Sequence, residues 1–170
     1  EKIPVHIHTK RLPKVDDSPP RLVLETKKQG EFLVVNPAII YGDPPLARVV
    51  RGELELVGST VPVRSFRSEN RLTRQLGETL RMAVGVETRL KGMAAVRFVD
   101  RLAGFKGDIC GGGVKAFRRV DGFKPAIKID GDRISAEMGG ADPEEVIAAW
   151  SAGEELVSLP SGGWAPLPMD

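Results

Sequence analysis

Histidine, cysteine and aromatic side chains are scarce in this chain, and each scarcity removes a class of chemistry. The 170 residues hold two histidines, one cysteine and 5% aromatics. Both histidines, His6 and His8, lie near the start, so neither a Ser-His-Asp nor a Cys-His arrangement has a base to draw on elsewhere. The single Cys110 cannot form an internal disulfide, which suits a reducing compartment. With so few aromatics, the core must be mostly Val, Leu, Ile and Ala. No apolar run approaches the roughly 20 residues that span a bilayer. There is no charged-then-apolar leader either, so a soluble, cytoplasmic chain without a membrane partner is expected. The chain starts at Glu1 rather than Met and stops soon after a hairpin, which suggests a piece of a longer protein; processing or missing terminal residues would look the same.

What is present fits a folded domain: 41% hydrophobic and 28% charged residues. The net charge of +2 demands no polyanionic partner, but the charge is unevenly spread. Residues 64–101 hold nine basic against four acidic side chains; residues 131–170 hold one against eight. Such a dipole either steers a charged partner or draws the two halves together in the fold.

Residues 1–20 read as an extended arm ending in Asp16-Asp17-Ser18-Pro19-Pro20, and residues 21–170 as one α+β domain. Alternation predicts a hairpin from residue 21 through Gln29-Gly30 to Val35, and a second around Arg51-Gly52. A helix is expected over residues 68–83 with Ser68 as N-cap and Gly85 as stop. Leu72, Leu76, Leu80 and Ala83 fall on one arc of it, and Arg67, Arg71, Arg74 and Arg81 on the other. A short strand over 86–90 and a second helix over 93–103 follow, the latter with Val96, Val99 and Leu102 inward. Gly111-Gly112-Gly113 reads as a flexible loop, followed by strands over 115–119, 124–130 and 133–138, with turns at Asp121-Gly122 and Asp130-Gly131. Asp142-Pro143-Glu144-Glu145 opens a third helix with Val146, Ile147 and Trp150 on one face. A last hairpin joins residues 155–159 to 164–167, and Trp150 and Trp164 are expected in the core. The sum is an α+β fold with a mainly antiparallel sheet built from hairpins and about three amphipathic helices.

Few residues invite a chemical role. Gly111 to Lys115 lacks the hydroxyl that follows the lysine of a phosphate loop, and Gly104-Phe105-Lys106-Gly107 fails likewise. His6 and His8 share a strand face but find only Asp16 and Asp17 nearby, short of a metal set. Glu144-Glu145, Asp130, Asp132 and Asp43 are explained by a helix start and by turns. No catalytic, metal or cofactor site is therefore assigned. The arginine stripe Arg67, Arg71, Arg74 and Arg81 remains as a candidate phosphate contact, although Glu69 and Glu78 interrupt it and no aromatic interleaves; a solvated face is the plain alternative.

Several segments carry a resemblance: Ile40-Tyr41-Gly42-Asp43-Pro44-Pro45 with Ala47-Arg48-Val49, Ala141-Asp142-Pro143, Glu154-Glu155-Leu156-Val157-Ser158-Leu159, and Gly162-Gly163-Trp164-Ala165-Pro166-Leu167-Pro168. Together they resemble the amino-terminal accessory region of bacterial Swi/Snf-type helicases of superfamily two, over about residues 21–170. The resemblance implies a full-length ATP-dependent translocase on DNA, with its phosphate loop and acidic metal-binding motif outside these residues. No catalytic residue of such a motor matches a position here. The expectation is thus a non-catalytic accessory domain, needing no cofactor, that docks on the ATPase lobes of the same polypeptide or on a partner, with DNA as a candidate ligand. Two other readings stand beside it: a self-standing nucleic-acid-binding module using Arg67, Arg71, Arg74 and Arg81, and a small enzyme built from Asp43, Cys110 and the glycine run.

Overall fold

The computed structural model describes residues 14–120, 126–130, 133–137 and 140–167. The described residues form an α+β fold: three α-helices and a multi-stranded, mostly antiparallel sheet made of hairpins. The expected arm is strand at its end, because Val15–Asp16 (β1) pairs in parallel with Val61–Pro62 (β6). His6, His8, Asp121-Gly122 and Gly131 lie outside the described residues.

The central hairpin joins Arg21–Gln29 (β2) to Phe32–Tyr41 (β3) in the register Leu22↔Ile39, Leu24↔Pro37, Lys28↔Leu33. β3 runs six residues beyond the expected end at Val35, because it is apolar on both faces. Leu33, Val35, Ile39 and Tyr41 face the main core, and Val34, Ala38 and Ile40 are buried on the other side. Pro37 interrupts this run yet is tolerated. On the side of β3 away from β2, Ala47–Val50 (β4) pairs only with residues 39–41, and Thr88–Lys91 (β7) only with residues 32–35. The missing N–H of Pro37 faces the gap between them, where its carbonyl accepts from the Gly85 N–H at 2.7 Å.

β4 continues antiparallel to Glu53–Leu56 (β5), and on the other flank Asp108–Cys110 (β8) joins β2 in parallel. The sheet order is thus β5-β4-β3-β2-β8, with β7 on the remaining stretch of β3. Two helices cover the core face. Phe66–Leu80 (α1) contributes Leu76 and Leu80, and Gly92–Arg101 (α2) contributes Ala95 and Phe98. Val96 and Leu102 are buried as expected and Val99 is half-buried against the core; Phe98 joins them deeply buried, and Leu102 opens a 3-10 turn, Leu102–Gly104.

α1 starts two residues earlier than expected. Ser65, not Ser68, is the N-cap, its hydroxyl accepting from the Ser68 N–H at 3.4 Å. The helix also ends earlier: Arg81 takes the left-handed cap conformation (φ 57°), its N–H bonded to the Gly77 carbonyl. Ala83, expected on the apolar arc, is therefore beyond the helix and exposed.

The glycine run is not a free loop, and residues 115–119 are not the strand expected after it. Gly113–Phe117 is a 3-10 helix that carries Phe117 into the core. Gly111 and Gly113 press on the backbone of β2 at Thr26 and Lys27, closer than any Cβ would permit. The strand expected over 115–119 is overridden by this burial.

Downstream, Ala126–Asp130 (β9) and Arg133–Glu137 (β10) form the expected hairpin. Pro143–Ser151 (α3) begins as its sequence dictates, the Asp142 carboxylate accepting from the Glu144 N–H at 2.9 Å. Its inward face is narrower than expected. Val146 is buried with Ala141, Val157, Ala165 and Leu167 in a small second core, whereas Ile147 and Trp150 are 59% and 47% exposed. Trp150 is thus not a core residue. The last hairpin pairs Leu156–Ser158 (β11) with Trp164–Pro166 (β12). Trp164 is half-buried against the main core; its N–H donates to the Arg118 carbonyl at 2.9 Å and its carbonyl accepts from Val120 at 2.7 Å.

Candidate nucleic-acid interface

The first turn of α1 is fixed by a buried polar network. Tyr41, at the end of β3 and fully buried, donates its hydroxyl proton to Glu69 Oε1 at 2.7 Å and accepts from the Ser65 N–H at 2.9 Å. Arg64 donates from Nε to Glu69 Oε1 and from Nη2 to Glu69 Oε2, both at 3.0 Å, in the two-pronged geometry that guanidinium favours. Its Nη2 also donates to the Gly52 carbonyl. Burial alone would raise the Glu69 carboxyl; Arg64 and the Tyr41 hydroxyl outweigh it and hold the group below the ordinary carboxylate range. Burial likewise pushes the Tyr41 hydroxyl up, aided by Glu69 and opposed by the Ser65 N–H.

This network changes the arginine stripe. Glu69 turns inward and is 6% exposed, so it does not interrupt the outer face as the sequence suggested. At about 100° per residue, Arg67, Arg71 and Arg74 lie within about 60° of one another on that face. They line a shallow depression of about 660 Å³ together with Ser68 and Asn70. All three arginines are exposed, and none has an ion-pair partner among the described residues. Arg81 does not join them, because it is the left-handed cap at the far end of the helix. The expected stripe of four is a cluster of three.

The sequence pattern does not register an aromatic on the flank of this face, about 100° round the helix from Arg67. Phe66, the first residue of α1, is 61% exposed, with the Arg64 guanidinium 4.1 Å from its ring centroid. Its signal is the Ser65 cap: a helix start at Ser65 rather than Ser68 brings Phe66 onto the helix one turn before Asn70, on the ridge that continues to Arg74.

The remaining candidates do not assemble. Cys110 is exposed at the end of β8, opposite Glu25, and its carbonyl accepts from Thr26 Oγ1 at 3.0 Å. Asp43 faces Arg21 at 3.6 Å, and Arg21 also pairs with Asp108. Lys115 sits in the 3-10 helix rather than before a helix N-terminus that could hold phosphate. Among the described residues no three His, Cys, Asp or Glu side chains gather as metal ligands, and no helix is long and apolar enough to cross a membrane. In a cleft of about 460 Å³ between α2 and the last hairpin both cations are paired, Lys91 near Glu31 at 3.9 Å and Arg97 near Glu155 at 3.7 Å. Comparison with protein-family models, curated proteins and solved structures finds no match for the chain.

Proposed function

We propose that this chain is a non-catalytic accessory domain that holds a nucleic-acid backbone on the outer face of α1, beside a Swi/Snf-type DNA-dependent ATPase. The observation that carries the reading is the cluster Arg67, Arg71 and Arg74: three exposed guanidinium groups around one depression, with no carboxylate partner among the described residues. Like charges this close repel one another in the free protein. A phosphate backbone relieves the repulsion and releases counterions, which supplies affinity without reading sequence. The Glu69 network supports the same reading. It removes from the face the one carboxylate in the first turn and fixes the segment on which the arginines stand.

The resemblance to Swi/Snf-type accessory regions supplies the context: a cytoplasmic motor whose ATPase lobes belong to the same polypeptide and provide the ATP chemistry. Band-shift titration at low salt tests the binding half. The wild-type chain is expected to retard oligonucleotides, and Arg67→Ala/Arg71→Ala/Arg74→Ala to lose the shift while keeping its melting temperature. No shift by wild type refutes the binding. The surrounding reading frame tests the motor half. A Walker-type phosphate loop encoded in the same polypeptide supports it; an open reading frame without one leaves a self-standing binding module instead.

A further inference from the structure

We infer that the ligand of this face is single-stranded nucleic acid and that Phe66 is its base-stacking residue. The inference rests on the reading of α1 as a nucleic-acid interface and adds to it the strand state of the ligand. Phe66, Asn70 and Arg74 follow one another at i, i+4 and i+8, so they form one ridge of the helix; Arg67 and Arg71 form the neighbouring ridge. A strand whose backbone lies along the arginines meets the ring by turning a base across Asn70 onto the neighbouring ridge at the N-terminal end of the helix. The arginines span about 10 Å of helix axis, the reach of two or three phosphates.

The ring is prepared for this contact. Arg64 lies over it at 4.1 Å, and the guanidinium is itself held by both oxygens of buried Glu69, so it is fixed before any ligand arrives. With Arg64 in place Phe66 is still 61% exposed, so much of the ring remains open to water. An exposed phenylalanine gains most from an unstacked base, which offers a π-face of matching size. A duplex keeps its base faces stacked inside and offers a helix only backbone and base edges, leaving the ring no π-face to stack on. The exposed ring on the flank of the unpaired arginines thus favours a single strand of either sugar, because phosphate and base face are common to both.

Fluorescence anisotropy on the whole chain at low salt, with labelled oligo-dT, oligo-rU and a duplex of equal length, tests this. Phe66→Ala is expected to weaken both single strands by about 5- to 100-fold, the range that loss of one stacked base gives, with little change for the duplex. Phe66→Trp is expected to restore binding and Phe66→Leu is not, which separates stacking from apolar bulk. The salt dependence should be the same in Phe66→Ala as in wild type, because no phosphate contact is lost. Single-strand affinity unchanged in Phe66→Ala, or an equal loss on single strand and duplex, overturns the inference. If the triple arginine variant loses binding in the same series while Phe66→Ala does not, the interface stands and only the stacking role falls. If wild type binds no oligonucleotide, both fall.

Discussion

Substituting the three consecutive glycines one at a time should give three different results from the same added methyl group. At Gly113 a Cβ would sit 2.6 Å from the Lys27 carbonyl carbon and 2.9 Å from its Cα, where carbon atoms prefer roughly 3.5–4.0 Å. The neighbour is backbone rather than a flexible side-chain tip. It also belongs to β2, which is paired with β3 along its length and with β8 at residues 23–25. Relief therefore means moving a strand of the central sheet or the 3-10 helix that carries Phe117. We expect Gly113→Ala to cost about 2–3 kcal/mol, the upper part of the overpacking range. Gly111→Ala should cost more, about 3–5 kcal/mol. Its Cβ would lie 2.0 Å from the Thr26 carbonyl oxygen, and its φ of +87° adds a left-handed penalty of about 1–2 kcal/mol. Gly112 is the internal control. Nothing lies within 4 Å of its Cβ position and its φ is −99°, so alanine there should be neutral or stabilise by up to about 1 kcal/mol. Urea denaturation followed by circular dichroism reads the differences as shifts in midpoint at constant slope. Gly113→Ala within about 0.5 kcal/mol of wild type, or Gly112→Ala as damaging as its neighbours, would show that the run does not pack against β2.

Other substitutions test other parts of the account. Tyr41→Phe removes both the donor to buried Glu69 and the acceptor of the Ser65 N–H, and should cost about 2–3 kcal/mol at neutral pH by thermal or urea denaturation. The Glu69 carboxyl is held below its ordinary value of 4.5, so its stabilisation is complete above that pH and is lost as pH falls through the lowered folded-state value. Glu69→Gln should therefore be less stable than wild type at neutral pH and lose less stability on acidification; parallel acid limbs would contradict this. Trp164→Ala should cost about 2 kcal/mol, since half-buried Trp164 packs against the main core, and Trp150→Ala under about 1 kcal/mol, since Trp150 lies half-exposed on α3; the reverse order would place the last hairpin differently.

Local patterns announced much of this fold. The hairpins of β2–β3 and β4–β5 carry their turns and alternation in sequence, and α3 carries its cap, proline and acidic first turn. Other features depend on long-range contacts that periodicity does not register. Gly113–Phe117 reads as loop and strand, but Phe117 is drawn into the core and the glycines into contact with β2. Pro37 argues against a central strand until the gap between β4 and β7 supplies a place without a hydrogen-bond partner. Trp150 has the size of a core residue and the helical spacing for it, yet the second core is filled by smaller Val146, Val157 and Ala165. The candidate site was partly legible. Arg67, Arg71 and Arg74 share a face by spacing alone, whereas a helical carboxylate such as Glu69 reads as solvated until Tyr41, 28 residues earlier, is known to meet it. Phe66 stayed hidden behind a cap assigned three residues too late.

Salt dependence of oligonucleotide binding, measured for wild type and for the Arg67→Ala/Arg71→Ala/Arg74→Ala variant, counts the phosphates that the arginines of α1 hold. Three phosphate contacts on a single strand correspond to a log–log slope steeper by about 2 in wild type than in the variant. Equal slopes in the two proteins, or no binding by wild type at low ionic strength, would contradict the assignment of α1 as a nucleic-acid interface.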